Sequence, residues 1–308
     1  MLKTLFILSL IAFISVQAYD EKLAYELLRA STASYCAQQH LQSMKCGDAC
    51  NNLKGYNFHH QFLRSFTSAE SVSYSLFVNH NTKRVVAAFR GTQGFNQLTQ
   101  EILQSKAVTY TLHPIKNCVV TQYFFEKYRN TLRGDFLKAF LAMASQYKTK
   151  GYTFLFTGHS LGGAFATHAA LDMVLSNIVP KNQVILYTFG SPRVGDYNFA
   201  SAVSNSIKNF RVTNKHDLVP HFPPCLPNLL KGGCAQWPNH PNQNGWIAYN
   251  AYHVWPEVFY NGKGYKVCSN PEDLSCANQY KVPFLYISDH LEYLGLNTAC
   301  LATSAIKK

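Results

Sequence analysis

The sequence predicts an α/β fold, with a mostly parallel, twisted central sheet that is covered by helices on both faces. Two observations support this prediction. Short apolar segments of β-prone residues, such as Val85–Phe89 and Val184–Phe189, alternate with helix-like segments such as Tyr123–Tyr147. A further apolar run, Tyr152–Thr157, leads through a glycine-flanked serine turn into the Ala-rich segment Ala164–Leu175. Strands that alternate with helices build parallel sheets that are buried on both faces.

The other elements are predicted in chain order from the spacing of apolar residues and from turn signals. They are a helix at Leu23–Ala30, a hairpin of strands Val72–Val78 and Val85–Phe89 with its turn at Asn79–Thr82, an interruption of the long helix near Gly134, a helix at Phe199–Ile207, and strands at Phe210–Thr213, Trp246–Val254 and Tyr265–Cys268. Six prolines and two glycines predict an irregular loop at Pro220–Pro241. No repeat or linker divides the chain, so we expect one domain over residues 19–308.

The N-terminus has the pattern of a secretory signal peptide. Lys3 precedes an apolar run from Leu5 to Val16, and small residues at Val16 and Ala18 fit a cleavage site. Because the run is too short to span a bilayer comfortably, we expect a cleaved signal at residues 1–18 and no transmembrane anchor. The expected location is outside the cell, or in the lumen of a secretory or lysosome-like compartment.

The nine cysteines also fit an oxidising compartment. No C-x-x-C pair occurs, so zinc is the weaker explanation, and we expect no metal site. Sequence spacing allows four disulfides and leaves Cys118 unpaired or bonded to another chain. The pairs are Cys36–Cys300, Cys46–Cys50, Cys225–Cys234 and Cys268–Cys276.

The formal net charge of +12 raises the question of an anionic partner. The basic residues are scattered, without a Lys/Arg block or an RNA-binding motif, so we expect no nucleic-acid partner. Solubility is the simplest function of such a charge, and attraction to anionic lipid surfaces is the alternative.

The serine turn Gly158-His159-Ser160-Leu161-Gly162 has the G-x-S-x-G pattern of a nucleophile elbow. Glycines on both sides let the strand and the helix cross closely, which would hold the Ser160 hydroxyl above the sheet edge. The N-terminus of the next helix would direct N–H groups at an oxyanion formed there. The pentapeptide alone is a weak signal, but the preceding strand and the following Ala-rich segment favour a catalytic serine over a chance match.

A serine nucleophile needs a base, and the base needs an acid that orients it. In α/β-hydrolases the three follow in the order serine, acid, histidine. His290, predicted at a strand-to-helix boundary near the C-terminus, is favoured over the other candidates. Those candidates are His168, which its helix would carry away from Ser160, and His216, His221, His240 and His253.

The predicted acid is Asp217, which lies in the loop after the strand predicted at Phe210–Thr213. Asp196 is the alternative, because it also follows a strand. Asp289 adjoins His290, but neighbouring side chains on an extended chain point to opposite sides.

The motifs together resemble the class 3 lipases, the secreted fungal triacylglycerol lipase type, over a span from about Cys36 to Cys300. The resemblance implies an α/β-hydrolase fold with a lid helix over the active site. It also implies that Ser160 is the nucleophile, Asp217 the acid and His290 the base. The matching segments are Phe89–Thr92, Gly158–Gly163, Gly190–Asp196, His216–Pro220 and Asp289–Leu291.

The resemblance implies further site residues. Thr92 and the Leu161 N–H would hold the oxyanion, and the segment after Thr92 would form the lid. Phe95, Leu98 and Ile102 follow helical spacing and would form the apolar face of that lid. The family's disulfide pattern matches the pairs Cys36–Cys300, Cys46–Cys50 and Cys268–Cys276. Two features depart from the family. The lid segment lacks the family's usual tryptophan, and Val119–Phe124 differs from the family's Val-His-x-Gly-Phe turn. Both lie near the expected acyl groove, so the acyl-chain and head-group preferences stay open.

The predicted function is that of a secreted serine carboxylic ester hydrolase, most simply a triacylglycerol lipase. It would act as a monomer at an oil–water or membrane interface, without a metal or organic cofactor. The alternatives are a phospholipase A1, a feruloyl esterase, a serine peptidase, and a catalytically inactive lipid-binding protein on the same scaffold.

Overall fold

The computed structural model describes residues 18–67, 70–91, 106–225, 228, 233–236 and 251–300. The signal peptide predicted at residues 1–18 therefore lies outside the described residues except for Ala18. The strands of the described chain are β1 (Tyr56–Ser65), β2 (Ser71–Asn79), β3 (Arg84–Arg90), β4 (Ala107–Thr109), β5 (Val119–Thr121), β6 (Thr153–His159), β7 (Val184–Phe189), β8 (Lys208–Asn214), β9 (Glu257–Tyr260), β10 (Tyr265–Val267), β11 (Glu292–Tyr293) and β12 (Leu296–Asn297).

Within these ranges one large sheet has the strand order β1-β2-β3-β6-β7-β8-β9-β10. Strands β3, β6, β7, β8 and β9 pair in parallel, and antiparallel strands extend the sheet at both edges. Because the five central strands run in one direction, their carboxyl ends meet at one edge. The predicted α/β-hydrolase sheet is thus confirmed.

The helices cover both faces of this sheet. Ser160 directly precedes the helix Leu161–Leu175, called here the elbow helix. The long helix predicted at Tyr123–Tyr147 runs from Gln122, and a π-helical turn just before Gly134 takes the place of the expected interruption. The helical segments are Glu21–Ala33, Gln38–Gln42, Asp48–Asn51, Gln122–Lys127, Tyr128–Leu132 (π), Arg133–Tyr147, Leu161–Leu175 and Tyr197–Ser206, with 3₁₀ turns at Lys148–Lys150, Lys181–Gln183, Val219–His221 and Ala277–Gln279.

Alternation along the strands divides the apolar side chains between two cores. On β3, Val85 and Phe89 pack under the long helix and the elbow helix, whereas Val86 packs under the N-terminal helix Glu21–Ala33. The elbow helix is buried almost all round, because it lies between the sheet and the long helix. This packing fixes the start of the elbow helix, and with it Ser160, at the carboxyl edge of the sheet.

Two features of the sheet differ from the sequence prediction. The ten-residue edge strand β1 was not predicted, because its sequence around His59 and His60 is polar. An edge strand pairs on one side only and tolerates such residues. The strand predicted at Trp246–Val254 is wrong for its described part, since residues 251–254 hold only an isolated bridge at Tyr252. The sheet strand is β9, which begins just after Pro256.

The four predicted disulfides are confirmed in the described chain, and Cys118 is buried and unpaired. Three of them close short local loops. Cys36–Cys300 spans 264 residues and joins the segment after the N-terminal helix to the C-terminal end of the described chain. Among the described helices, none is long and apolar enough to cross a membrane.

A buried histidine of the elbow helix packs against the long helix. The ring of His168 stacks between Tyr110 and Tyr128, at centroid distances of 6.2 and 5.9 Å. Neither ring nitrogen has a hydrogen-bond partner among the described residues. Burial lowers the pKa of His168 to about 3, although the Asp172 carboxylate acts in the opposite direction. His168 is therefore neutral in the folded protein at neutral and mildly acidic pH.

We expect this histidine to make folding stability decrease in acid. In the unfolded chain a histidine takes up a proton below about pH 6.5, whereas folded His168 does so only near pH 3. Between these values the unfolded state binds more protons, so stability falls as pH falls, by up to about 1.4 kcal/mol per pH unit from this residue. Urea unfolding between about pH 6 and about pH 4, within that window, should show a shallower fall for His168→Leu, and equal slopes for both proteins would contradict the prediction.

Candidate active site

Ser160 lies at the apex of a strained turn between β6 and the elbow helix. Its φ of +58° and ψ of −133° fall outside the regions that non-glycine residues usually adopt. The turn is held because the Ser160 N–H donates to the Phe189 carbonyl at 2.8 Å, and the Gly163 N–H donates to the Ser160 carbonyl at 2.9 Å. The serine is buried, and its Oγ has no hydrogen-bond partner among the described residues.

The glycines that flank the serine are required by the close crossing of strand and helix. A Cβ on Gly158 would lie 2.2 Å from the Gly162 carbonyl carbon. A Cβ on Gly162 would lie 2.1 Å from the Phe89 carbonyl oxygen on β3. No side chain fits at these distances, so the motif spacing follows directly from the packing.

Asp217 and His290 form a buried hydrogen-bonded pair. Nδ1 of His290 lies 2.9 Å from Oδ2 of Asp217, and both side chains are almost fully buried. An ionised carboxylate only accepts hydrogen bonds, so Nδ1 carries the proton and Nε2 presents its lone pair. Nε2 has no hydrogen-bond partner within the described part of the chain. The tautomer is therefore the one that a general base requires.

The Asp217 carboxylate is itself held by two further donors. The Val219 N–H donates to Oδ1 at 2.8 Å, and the Tyr293 hydroxyl donates to Oδ2. Burial and the neighbouring Asp217 charge raise the pKa of Tyr293 well above its usual value, so Tyr293 remains a neutral phenol. Three hydrogen bonds thus fix the orientation of the carboxylate toward His290.

The segment around His290 differs from the prediction of a strand-to-helix boundary. His290 lies in a turn, where its N–H donates to the Ile287 carbonyl, and the hairpin β11–β12 follows. That hairpin carries Tyr293 back to Asp217. Tyr293 was not predicted as a site residue, and its position three residues after the predicted base is the sequence signal that could have indicated it.

A second chain of hydrogen bonds was also missed, and it links the base to the end of β3. The His159 Nε2–H donates to the His290 carbonyl at 2.8 Å. On the other side of the ring, Nδ1 of His159 lies 3.4 Å from the Tyr35 hydroxyl, which accepts from the Gly91 N–H at 3.0 Å. Burial and the nearby His290 lower the pKa of His159 well below its usual value, which keeps this connector neutral.

The end of β3 packs directly against the serine. A Cβ on Gly91 would lie 3.1 Å from the Ser160 Cβ and 2.5 Å from the Tyr35 hydroxyl. The predicted oxyanion residue Thr92 follows immediately, and it lies outside the described residues, as do the predicted lid residues Phe95, Leu98 and Ile102. Leu161 is the first residue of the elbow helix, so its N–H has no partner one turn earlier in that helix.

The other candidate acids and bases have different partners. Asp196 caps the helix Tyr197–Ser206 by accepting from the Phe199 N–H at 2.9 Å. Asp289 accepts from the His216 N–H at 3.1 Å. The other described candidate bases have different surroundings: His216 contacts the Phe284 carbonyl, His253 contacts the Pro220 carbonyl, and His168 packs among the aromatic rings named above. His221 lies in the 3₁₀ turn Val219–His221, and its Nε2 has no hydrogen-bond partner among the described residues. His240 lies outside the described residues.

One group of potential metal ligands occurs in the described chain, namely Cys225, Cys234 and Glu272. Both sulfurs belong to a disulfide, and Glu272 forms a buried salt bridge with Arg193 at 2.8 Å. These atoms are therefore engaged with one another and with the protein, and a disulfide sulfur is not the thiolate that binds metals.

Comparison with known proteins places this geometry in a family. The family model described as lipase (class 3) matches residues 86–226, which include Ser160 and Asp217. The lipase of Rhizomucor miehei is 31% identical over 218 residues, covering 70% of this chain and 53% of that protein. The chain belongs to the class 3 lipase family. In this class 3 lipase the elbow lies between a central parallel strand and a buried helix, within the matched residues.

The class 3 lipase chain resembles solved and curated proteins to different extents. A solved structure of the triacylglyceride lipase of Rhizomucor miehei superposes with a TM-score of 0.74 at 25% identity, covering 93% of this chain and 98% of that one. Phospholipase A1-IIalpha of Arabidopsis thaliana is 38% identical over 87 residues, which cover 25% of this chain and 21% of that protein. The chain spans about half the length of the first curated relatives that it matches.

Proposed function

We propose that this class 3 lipase is a secreted serine carboxylic ester hydrolase that releases fatty acids from lipid esters. The observation that carries the proposal is the arrangement at the carboxyl edge of the sheet. Ser160 is held in a strained turn with an unpartnered Oγ, and the pair Asp217–His290 leaves an unpartnered Nε2, among the described residues. A hydroxyl and a base that are both buried and both without a partner are prepared for a substrate.

In the proposed acylation step, Oγ of Ser160 attacks the ester carbonyl while Nε2 of His290 takes its proton. Asp217 holds the imidazole and stabilises its charged form. The tetrahedral oxyanion would be bound by the Leu161 N–H and by Thr92, at the positive end of the elbow helix. The intermediate then collapses, the ester C–O bond breaks, and His290 returns the proton to the leaving alcohol.

Deacylation uses the same groups, with water as the nucleophile and Ser160 as the leaving group. Nε2 of His290 takes a proton from water, and the resulting hydroxide attacks the acyl carbonyl on Ser160. When the second tetrahedral intermediate collapses, the bond between Oγ and the acyl carbon breaks and the fatty acid is released. His290 returns its proton to Oγ of Ser160, which restores the hydroxyl. The reaction balances without a metal or an organic cofactor.

Triacylglycerol is the proposed substrate, supported by the likeness to a triacylglyceride lipase over nearly the whole chain. Phospholipid is the second candidate, because a partly similar relative is a phospholipase A1 and the chain carries a net charge of +12. Four disulfides support secretion. We further propose that the enzyme acts as a monomer at a lipid interface. In this proposal Phe95, Leu98 and Ile102 belong to a lid that contacts the lipid.

Covalent labelling tests the proposed reaction class. A lipid-like organophosphonate ester should add one phosphonyl group to Ser160, and peptide mass spectrometry would locate it. The Ser160→Ala variant should remain unlabelled. A wild-type protein that is folded but unlabelled would instead be a lipid-binding protein without activity.

Hydrolysis of a substrate panel then distinguishes the lipid classes. Emulsified triacylglycerol, phosphatidylcholine vesicles and a feruloyl ester are compared at equal enzyme concentration. We expect the highest kcat/KM on triacylglycerol. Faster hydrolysis of phosphatidylcholine, with release from the sn-1 position, would assign phospholipase A1 activity instead.

A further inference from the structure

The loop Lys281–Leu291 joins a surface segment to the predicted base, and it carries an unusual set of exposed apolar side chains. We propose that this loop, called here the docking loop, inserts into an anionic lipid surface and sets the position of the active site above it. The inference rests on the proposed lipid hydrolysis and identifies the surface on which the enzyme works. It concerns residues outside the predicted lid.

The exposed apolar side chains are concentrated in this loop. The exposed fractions are 73% for Val282, 60% for Phe284, 47% for Tyr286 and 50% for Leu291. These are four of the five most exposed large apolar side chains in the described ranges, and Leu63 on β1 at 55% is the fifth. Single exposed apolar residues are normal, whereas several exposed within one short loop indicate an interaction site.

The loop is held in place by its backbone. Nδ1 of His216 lies 2.7 Å from the Phe284 carbonyl, and the Tyr286 N–H donates to the His216 carbonyl at 2.7 Å. The His216 ring also stacks on Tyr280 at a centroid distance of 3.7 Å. A loop fixed in this way presents its apolar side chains to solvent in a defined arrangement, which lowers the entropy lost on binding.

The docking loop is attached beside the predicted acid and base. Its anchor His216 directly precedes Asp217, and His290 lies within the loop, so the loop is joined to both partners of the acid–base pair. A surface bound by Val282 and Phe284 is therefore brought to a fixed position beside the acid–base pair. The partner whose binding there would aid turnover is the surface that contains the ester, and this argues for lipid over a protein that would cover the same edge.

The charge of the surrounding chain fits an anionic lipid surface. Lys281 is exposed beside Val282, and Lys215 precedes His216. Of the acidic groups in the same segment, Asp289 accepts a hydrogen bond from the His216 N–H, and Glu292 is exposed on the hairpin beyond Leu291. The whole chain carries a net charge of +12, so long-range attraction favours an anionic surface.

Vesicle partitioning tests the docking loop without hydrolysis when all variants are made in the Ser160→Ala background. Probes are vesicles of phosphatidylcholine with phosphatidylglycerol in equal amounts, and vesicles of phosphatidylcholine alone. Val282→Ser with Phe284→Ser should lower the partition coefficient about 10- to 100-fold, from the apolar surface that no longer inserts. Lys281→Gln should lower it about fivefold on the anionic vesicles only.

A matched control carries Leu63→Ser with Leu141→Ser. These leucines are 55% and 42% exposed and lie on β1 and the long helix, with β1 at the edge of the sheet opposite β10. The control should partition within about twofold of the parent, because its exposed side chains lie on elements outside the docking loop. Far-UV circular dichroism would verify that all variants are folded.

Three results would overturn the proposal. One is unchanged partitioning of the Val282/Phe284 double variant, and another is an equal loss for the control. The third is equal binding to both vesicle types with no effect of Lys281→Gln, which would contradict the proposed preference for an anionic surface. Phosphonate labelling of Ser160 in the wild-type protein tests the esterase proposal independently of vesicle binding. A protein that is labelled but does not partition as expected would contradict the docking loop alone.

Discussion

Replacing Asp217 by asparagine is expected to lower kcat about 10⁴-fold while leaving the protein folded. The carboxylate accepts from Nδ1 of His290 at 2.9 Å and thereby leaves the lone pair on Nε2. An asparagine amide can donate to Nδ1 instead, and the ring would then carry its proton on the nitrogen that must act as the base. Ser160→Ala and His290→Ala should cause losses of the same order, because the three residues act as a unit.

Asp196→Asn is the matched control for this prediction. Asp196 is also a buried aspartate after a sheet strand, and its Oδ1 accepts from the Phe199 N–H as a helix cap. The asparagine side chain can still cap that helix, so we expect nearly wild-type kcat on a soluble short-chain ester. Loss of activity in Asp196→Asn, with Asp217→Asn active, would transfer the role of the acid to Asp196.

The second large effect is expected for Gly190→Ala, which should lower kcat about 100- to 1000-fold. A Cβ at this position would lie 2.8 Å from Oδ2 of Asp217, and 2.9 Å from both Nδ1 of His290 and the Tyr293 hydroxyl. The added methyl would displace the acid, the base or both. The φ of +57° at Gly190 adds strain for any L-residue.

Gly134→Ala provides the comparison for this substitution. Gly134 lies in the long helix, where a Cβ would meet no atom within 4 Å, so activity should be unchanged and helix propensity slightly improved. Steady-state rates on a soluble ester, together with thermal unfolding, separate loss of catalysis from loss of the fold. A Gly190→Ala enzyme with wild-type kcat would show that the acid–base pair tolerates displacement.

The sheet and the elbow could be predicted because they depend on short-range patterns, and the elbow lies within five consecutive residues. The acid and the base were instead chosen by their order along the chain. The partners that hold them could not be found in this way. Tyr35 and His159 are 124 residues apart, and Gly190 meets Asp217 and His290 only through the fold.

The unpredicted strand β1 and the turn at His290 also depend on contacts that are distant in sequence or on patterns that are too short to interpret. Strand β1 pairs with β2 on one side only, so its sequence can remain polar. Its pairing with β2 is visible in the fold and not in the polar sequence of β1 itself. For His290, the sequence identified the residue but not the turn and hairpin around it. The apolar pattern there is short and is equally compatible with the start of a helix.

The Cys36–Cys300 bond has a consequence for a protein exposed to proteases. Almost every peptide bond of the described chain lies between these two cysteines. A single cut in this interval, for example after the exposed Lys83 in the turn between β2 and β3, leaves two fragments joined through sulfur. Because β2 and β3 also remain paired in the sheet, a nicked molecule can keep its active site and would separate into two pieces only after both reduction and unfolding.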